Sequence, residues 1–489
     1  MIENRWRVSG LIAVAAALAL GVAGHAVATD DVDAENNGAQ GAGNAAFGVV
    51  AGRTAAPRYY VDMNHEAGAD TNDGSQAAPW KTIAHAASVA KPGDEVLVKP
   101  GQYDELITLT VSGTADKLIR LRSEQPRAAR VKGFVLKGDY ISIEGFEITG
   151  GDDKGNGIFA GEAHYKTART GCKMLANFIH DLDGTAITSG ERAVVKANLI
   201  RNVYRGAFVN SGTLFELNEI DTLVPRMIEK DGVKKPKKTQ YTFFAGDDIT
   251  FRDNYFHGAP EEYLIKGMGV CFFASWDAWI IGPSHRILIE NNRCFNATHA
   301  SEPSADKLKQ SSHITYRNNL FVNTVYVGVL PKNFSHVTVE NNTFINCGAY
   351  PVWFQSVRQT EGSVVRNNLI AYWKRAEQVE KYGWKAADSG VRNNTQDKVK
   401  LDCDYNMFWG CENREYGEHD FVAEPQFVDP DNGNFCLKPG SPGIDAGVAI
   451  KAITTDQRGV KRPQGKAHDV GAYEFEHPAP DEDEVRVSN

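Results

Sequence analysis

From about residue 170 to residue 410 the chain repeats one phrase: a β-rich apolar run, then Asn, then two or three more apolar residues. It reads Leu175-Ala176-Asn177-Phe178-Ile179, Lys196-Ala197-Asn198-Leu199-Ile200 and Leu217-Asn218-Glu219-Ile220. It returns as Asp253-Asn254-Tyr255-Phe256, Asn291-Asn292-Arg293-Cys294-Phe295 and Asn318-Asn319-Leu320-Phe321. Asn341-Asn342-Thr343-Phe344, Asn367-Asn368-Leu369-Ile370 and Tyr405-Asn406-Met407-Phe408 complete the series, and Gly145 in Ile143-Glu144-Gly145-Phe146 reads as its first turn. From Asn177 the gaps are 21, 20, 36, 38, 27, 23, 26 and 38 residues. The short gaps define a rung, and the long ones are that rung plus an inserted loop. A second polar position follows four residues after the first, at Asp181, Asn202, Asn296, Asn323 and Asn346.

This pattern predicts parallel strands wound into a solenoid. Strands stacked about 4.8 Å apart place equivalent side chains above one another. Each Asn amide can then donate to one neighbour and accept from the other, which satisfies buried turn polarity. Asn also tolerates the left-handed backbone that sharp corners need. A β-sandwich with Asn-rich loops would instead show antiparallel hairpins and no fixed period. Residues 82–91 are expected to form a short helix that caps the open end of the core, which a solenoid must cover.

The rungs resemble those of the pectate-lyase-like superfamily of right-handed β-helix proteins. Tyr59-Tyr60-Val61-Asp62, Asp70-Thr71-Asn72-Asp73-Gly74, Pro79-Trp80-Lys81-Thr82-Ile83 and Gly93-Asp94-Glu95-Val96-Leu97-Val98 resemble that family's N-terminal segment. Pro425-Gln426-Phe427, Ser441-Pro442-Gly443-Ile444-Asp445-Ala446-Gly447 and Asp469-Val470-Gly471-Ala472-Tyr473-Glu474 resemble its closing segment. The resemblance implies an all-β, right-handed parallel β-helix over residues 58–475, with an N-terminal cap (58–110), inserted loops and a closing segment (424–475). It implies activity only loosely, because such helices carry lyases, hydrolases, epimerases and inert stalks.

The ends and the composition narrow the class. Arg5 and Arg7, the apolar run Leu11–Ala23 and Ala26-Val27-Ala28 read as a signal peptide over residues 1–28, with secretion or periplasmic export from a bacterium expected and no membrane association after cleavage. Residues 29–57 read as a flexible linker and 476–489 as an acidic tail. A net charge of −9 argues against general nucleic-acid binding. Of the seven cysteines, Cys172, Cys271, Cys294 and Cys347 fall in strand-like runs and are expected in the core, while Cys403 and Cys411 are close enough in sequence to pair. A monomer is expected.

Candidate chemistry sits where polar columns meet long insertions. Counting back nine residues from the first Asn of three pairs gives Lys309, Lys332 and Arg358, a cation column suited to an anionic polymer. Counting three beyond the second polar column gives Arg205, His299 and Tyr326. The insertion 221–248 carries Arg226, Lys230, Lys234, Lys235, Lys237 and Lys238, then ends in Asp247-Asp248 with Asp253 near, an oxygen-rich candidate for Ca²⁺ alongside Asp70–Asp73. Residues 372–385 combine Tyr372, Trp373, Lys374, Arg375, Lys381, Tyr382 and Trp384, rings beside cations that suit sugar binding or cover the end of the core.

These parts suit β-elimination from a uronic-acid polysaccharide. The carboxylate beside the C5 proton must be neutralised, and a base must remove that proton. His299 or Lys332 is the candidate base. Lys309, Arg358 and Arg205 would neutralise charge, and Trp373 and Trp384 would contact substrate. The alternatives are a glycoside hydrolase, for which Glu261, Glu262 and Glu302 are the candidate carboxylates, and a non-catalytic polysaccharide-binding protein. The paired aspartates of β-helix pectin hydrolases and the Asn-Gly-x-Glu-x-Ile-Arg-type motif of related alginate and chondroitin lyases are absent. Gly269-Val270-Cys271-Phe272-Phe273-Ala274 is apolar where some relatives carry His and Asp.

Overall fold

The computed structural model describes residues 58–477, apart from 152–154, 162–166, 225, 231, 237, 266–268, 276–282, 305–310, 349, 356–360, 374–376, 378–379, 382–389, 395–400 and 412–416. Their strands stack as a parallel β-helix with three faces. The first face is a 13-stranded parallel sheet that runs from Arg58–Val61 to Asp402–Asp404. The other two faces share one 20-stranded sheet, because several long strands bend from the second face onto the third. Phe178–Thr188, Leu199–Val209, Arg293–Pro303 and Leu320–Val329 do this, with left-handed Asp181, Asn202, Asn296 and Asn323 at the bends (φ 53 to 64°).

The asparagine ladder exists. Asn177 Nδ2 donates to Asn198 Oδ1 (3.1 Å), and the chain of amides passes through Asn218, Asn254, Asn292, Asn319, Asn342 and Asn368 to Asn406 at 2.9 to 3.1 Å per step. Each Oδ1 also accepts the backbone N–H of the preceding ladder residue, as Asn319 Oδ1 does from Asn292 N (3.0 Å). The ladder begins where Phe146 N donates to Asn177 Oδ1 and ends where Asn406 Nδ2 donates to Asp420 Oδ1. One detail departs from expectation. The left-handed residue is the one before each ladder Asn: Ala176, Ala197, Leu217, Asp253, Asn291, Asn318, Asn341, Asn367 and Tyr405 all have φ between 50 and 58°. The ladder Asn is selected for its amide, not for its backbone.

That also explains the doubled asparagines. Where the pair occurs, its first member faces outward and docks the closing segment. Asn318 Nδ2 donates to Thr455 O (2.8 Å), Asn341 Nδ2 to Asp469 O (2.9 Å) and Asn367 Nδ2 to Val448 O (2.7 Å), while Asn291 O accepts from Gln457 Nε2 (3.2 Å). The segment covers the C-terminal half of the second face, where Leu320, Ile345, Leu369 and Met407 pack against Phe427, Phe435, Leu437, Val470 and Tyr473.

At the other end the expected cap helix spans Ile83–Val89. Thr82 Oγ1 accepts from His85 N, and Ile83, Ala86 and Ala87 are buried. Asp70 accepts from the Lys81 and Thr82 backbone N–H groups (2.9 Å each) and from the Thr82 hydroxyl (2.8 Å), so this aspartate organises the cap. Trp80 stacks on Tyr59 (4.9 Å between centroids), and Gly74 lies so close beneath its indole that a Cβ there would come within 2.7 Å. The core between the faces is continuous from Val61 to Cys411. Cys172, Cys271, Cys294 and Cys347 are buried thiols, as expected, and Cys403 and Cys411 are buried as well.

Candidate functional site

The third face carries an outward column in which the polar residues converge. Cys271 pairs in register with Gln240 on one side and His299 on the other. Arg205 joins at the N-terminal end, where its Nε donates to Gln240 Oε1 (3.0 Å). Arg205 and His299 therefore share a column, as expected from counting. Tyr326 does not. The strand Leu320–Val329 shifts register between Ala297 and His299, so Val327 is the register partner of His299. The extra residue pushes Tyr326 outward to 53 % exposure, with its ring 5.3 Å from the His299 imidazole in an edge-on contact.

Around His299 the charges are few and specific. His299 Nε2 lies 3.8 Å from Glu302 Oε2, and Lys332 Nζ holds Glu302 Oε1 at 2.6 Å. Lys238, at the end of the basic insertion, acts electrostatically on both His299 and Glu302. Burial opposes ionisation of Glu302, yet His299, Lys332 and Lys238 together hold its carboxyl below the ordinary carboxylate range. Burial lowers the His299 pKa to about 4, against the raising effect of Glu302 and with the two lysines adding to the fall. The imidazole is thus neutral near pH 7.

Its tautomer follows from the hydrogen bonds. Thr298 Oγ1 is 2.6 Å from Val270 O, to which it must give its only proton, and 2.9 Å from His299 Nδ1. Nδ1 therefore carries the imidazole hydrogen and donates to the threonine oxygen. Nε2 is left with its lone pair on the Glu302 side, beside the lysines and Tyr326. A recessed, correctly oriented free base between cations can remove a proton next to a carboxylate that those cations neutralise.

The insertion that supplies Lys238 folds as a hairpin, Met227–Lys230 against Val233–Pro236. Its base is tied to the face by Tyr204, whose hydroxyl donates to Lys238 O (3.0 Å). Arg226 and Arg205 lie over the Tyr204 ring at 5.1 and 5.6 Å, and Arg205 is also 5.6 Å from the Phe243 centroid. Gln240, buried between Arg205 and Cys271, leaves its Nε2 without a partner.

Other expected site residues fall elsewhere. Lys309, Arg358 and Trp384 lie outside the described residues. Lys332 bridges in register to Ser304, five residues before Lys309, so a count made backwards from Asn318 does not reach its register partner. Trp373 is 5.9 Å from Trp409 and 6.3 Å from Phe427, and its indole N–H donates to Asp431 (3.3 Å). It covers the closing segment and not the His299 face.

Several of the residues expected to hold calcium have other partners. Asp248 and Asp247 pair with Arg286 at 2.5 and 3.3 Å, and Asp73 accepts from Ser75 N to close a turn. Among the described residues no group of three or more His, Cys, Asp or Glu side chains is arranged to hold a metal ion. For the hydrolase alternative, Glu261 pairs with Lys381 (2.8 Å), and Glu261 and Glu262 lie exposed on the helix Glu261–Ile265. Glu302 was named in the sequence only as a hydrolase carboxylate. Its place three residues after His299 was the available signal that the two share a face.

Two family models match the chain. One, described as "Pel9A-like, right handed beta helix region", matches residues 59–214, and the other, "Right handed beta helix region", matches residues 226–405. The chain is a pectate-lyase-like right-handed β-helix protein. A 74-residue stretch of this β-helix protein is 34 % identical to the uncharacterized protein YwoF of Bacillus subtilis (strain 168), covering 15 % of each chain. Among solved structures, the PL6 family alginate lyase AlyGC is 15 % identical with a TM-score of 0.45, covering 72 % of this chain and 53 % of that one. XylC, solved with xylose, is 12 % identical with a TM-score of 0.49, covering 85 % and 98 %. The chain thus spans about half of that alginate lyase and a small part of YwoF. At such identities and scores nothing about chemistry follows from these likenesses. Among the described residues no helix is long and apolar enough to cross a membrane.

Proposed function

We propose that this protein is an exported polysaccharide lyase that cleaves a uronic-acid polymer by β-elimination on its third face. The observation that carries this reading is the recessed His299, whose Nδ1 is held by Thr298 Oγ1 and whose Nε2 lies 3.8 Å from Glu302, itself paired with Lys332. Lys332 and Lys238 neutralise the uronate carboxylate, which makes the C5 proton acidic enough for removal. His299 Nε2 takes that proton, the C5–H electrons form the C4–C5 double bond, and the C4–O bond breaks. Tyr326, exposed beside the imidazole, gives the leaving oxygen its proton. Glu302 touches no reacting atom in this scheme. It positions Lys332 and keeps His299 more basic than burial alone would leave it.

The test is ultraviolet absorbance, since only elimination creates the unsaturated product. The full chain is incubated with pectate, alginate or a glycosaminoglycan, each with calcium and with chelator. Absorbance should rise with one polymer class and stay flat for His299→Gln on that polymer. New reducing ends without absorbance would replace elimination by hydrolysis, and no change in any polymer would leave a binding protein.

A further inference from the structure

The third face continues past His299 toward the C-terminal end. Register passes from His299 to Val327 and on to Tyr350, and the row through Val352, Trp353 and Phe354 pairs with Val391, Arg392 and Asn393. Val352 and Phe354 enter the core, so Trp353 faces outward between them. Its ring lies 4.9 Å from that of Tyr350, and the Arg392 guanidinium sits 4.5 Å over Tyr350 and 5.7 Å from Trp353. Arg392 Nε donates to Asn394 Oδ1 (2.7 Å), and among the described residues no carboxylate pairs with it. The Trp353 indole N–H is enclosed and has no hydrogen-bond partner. A cation stacked on two rings with no counter-ion among the described residues, on a protein of net charge −9, is an arrangement that the fold does not require.

We infer that Tyr350, Trp353 and Arg392 form a binding platform for an acidic sugar ring two to three rungs, about 10–15 Å, from His299. This rests on the reading of the His299 face as an acidic-polysaccharide site. The aromatic faces take the apolar side of the ring, and the guanidinium fork takes the carboxylate. A small rotation of Trp353 brings its N–H to a sugar oxygen, which removes the cost of leaving it unpaired. The polymer then lies along the stack of rungs, across the strands. Arg205 and Arg226 over Tyr204 repeat the cation–aromatic pairing on the opposite side of His299.

The experiment uses the full chain carrying His299→Gln, so that ligands are not consumed. Oligomannuronates and oligogalacturonates of two, four and six sugars are titrated by calorimetry and tryptophan fluorescence. Affinity should grow with length for one series. Arg392→Gln, and separately Tyr350→Leu, should lower hexamer affinity about tenfold and leave the disaccharide unchanged. Arg392→Gln with His299 intact should raise KM for polymer and keep kcat. Length dependence that survives both variants, or no binding by either series, overturns the platform. If Arg392→Gln changes nothing while the wild type eliminates, the platform alone falls. If the variants flatten length dependence but no polymer is ever cleaved, elimination falls and the platform stands.

Discussion

Charge is arranged differently on two faces of this solenoid, as a column along the first and as a cluster on the third. On the first face Lys196, Glu216, Arg252, Glu290, Arg317, Glu340, Arg366 and Asp404 stack in one register, and the sign changes at every rung. Arg252 Nε meets Glu290 at 2.7 Å, Arg317 meets Glu290 at 2.6 Å and Arg366 meets Glu340 at 2.7 Å. On the third face, His299 and Glu302 feel two lysines and supply one carboxylate. In-register stacking magnifies every charge choice, since a side chain meets its equivalents on both sides. Where the protein needs only stability, the column cancels itself. At the His299 face the described charges are gathered around one buried imidazole instead of alternating along a column.

The sharpest break of that contrast is His299→Gln, which keeps the shape and removes the base. Elimination rate should fall by roughly 10²- to 10⁴-fold, read as absorbance at saturating polymer, while binding of the polymer persists. A residual rate within a factor of a few would move the base elsewhere. Glu302→Gln comes next. It releases Lys332 and withdraws the charge that raises the His299 pKa. We expect kcat/KM to fall about tenfold and its acid limb to move to lower pH. An unmoved acid limb would detach Glu302 from His299.

The mirror experiment is Glu290→Gln on the first face. It leaves Arg252 and Arg317 facing each other across a neutral amide, at a side chain only 9 % exposed. Stability should drop by roughly 1–3 kcal/mol in denaturant unfolding, with kcat unchanged in the folded protein. A loss of activity without a loss of stability would mean that the column and the cluster are not separate in role.

The asparagine ladder and the His299 site were unequally legible in the sequence. The ladder showed itself because Asn recurs at one position and insertions fall between rungs, leaving the phrase intact. The doubled Asn was visible, but its cause was not, since Thr455, Asp469 and Val448 lie about 80 to 140 residues further along. His299 and Arg205 could be found because they follow the second corner closely, before any loop intervenes. Tyr326 was misplaced by one residue of bulge. Lys332 was found for a register that it does not keep, and its role came from Glu302, which the sequence offered to a different reaction. A residue count holds across a rung and fails across a loop.

The smallest effect sharpens the comparison by pH. His299 folds with a pKa near 4, below its unfolded value near 6.5. The unfolded chain therefore binds more protons between those values, and stability contributed by keeping this imidazole neutral is present above pH 6.5 and is lost as pH falls toward 4. His468, also lowered to about 4 by burial and by Arg462, acts in the same direction, whereas Asp469, raised to about 6 chiefly by burial, acts in the opposite one. Wild type alone cannot separate them, but a pairwise comparison can. Across pH 4 to 6.5, His299→Gln should flatten the dependence of unfolding free energy by at most about 1.4 kcal/mol per pH unit. Parallel curves for wild type and His299→Gln would mean that His299 takes up its proton alike in the folded and unfolded chain, so that burial does not hold the imidazole neutral below pH 6.5.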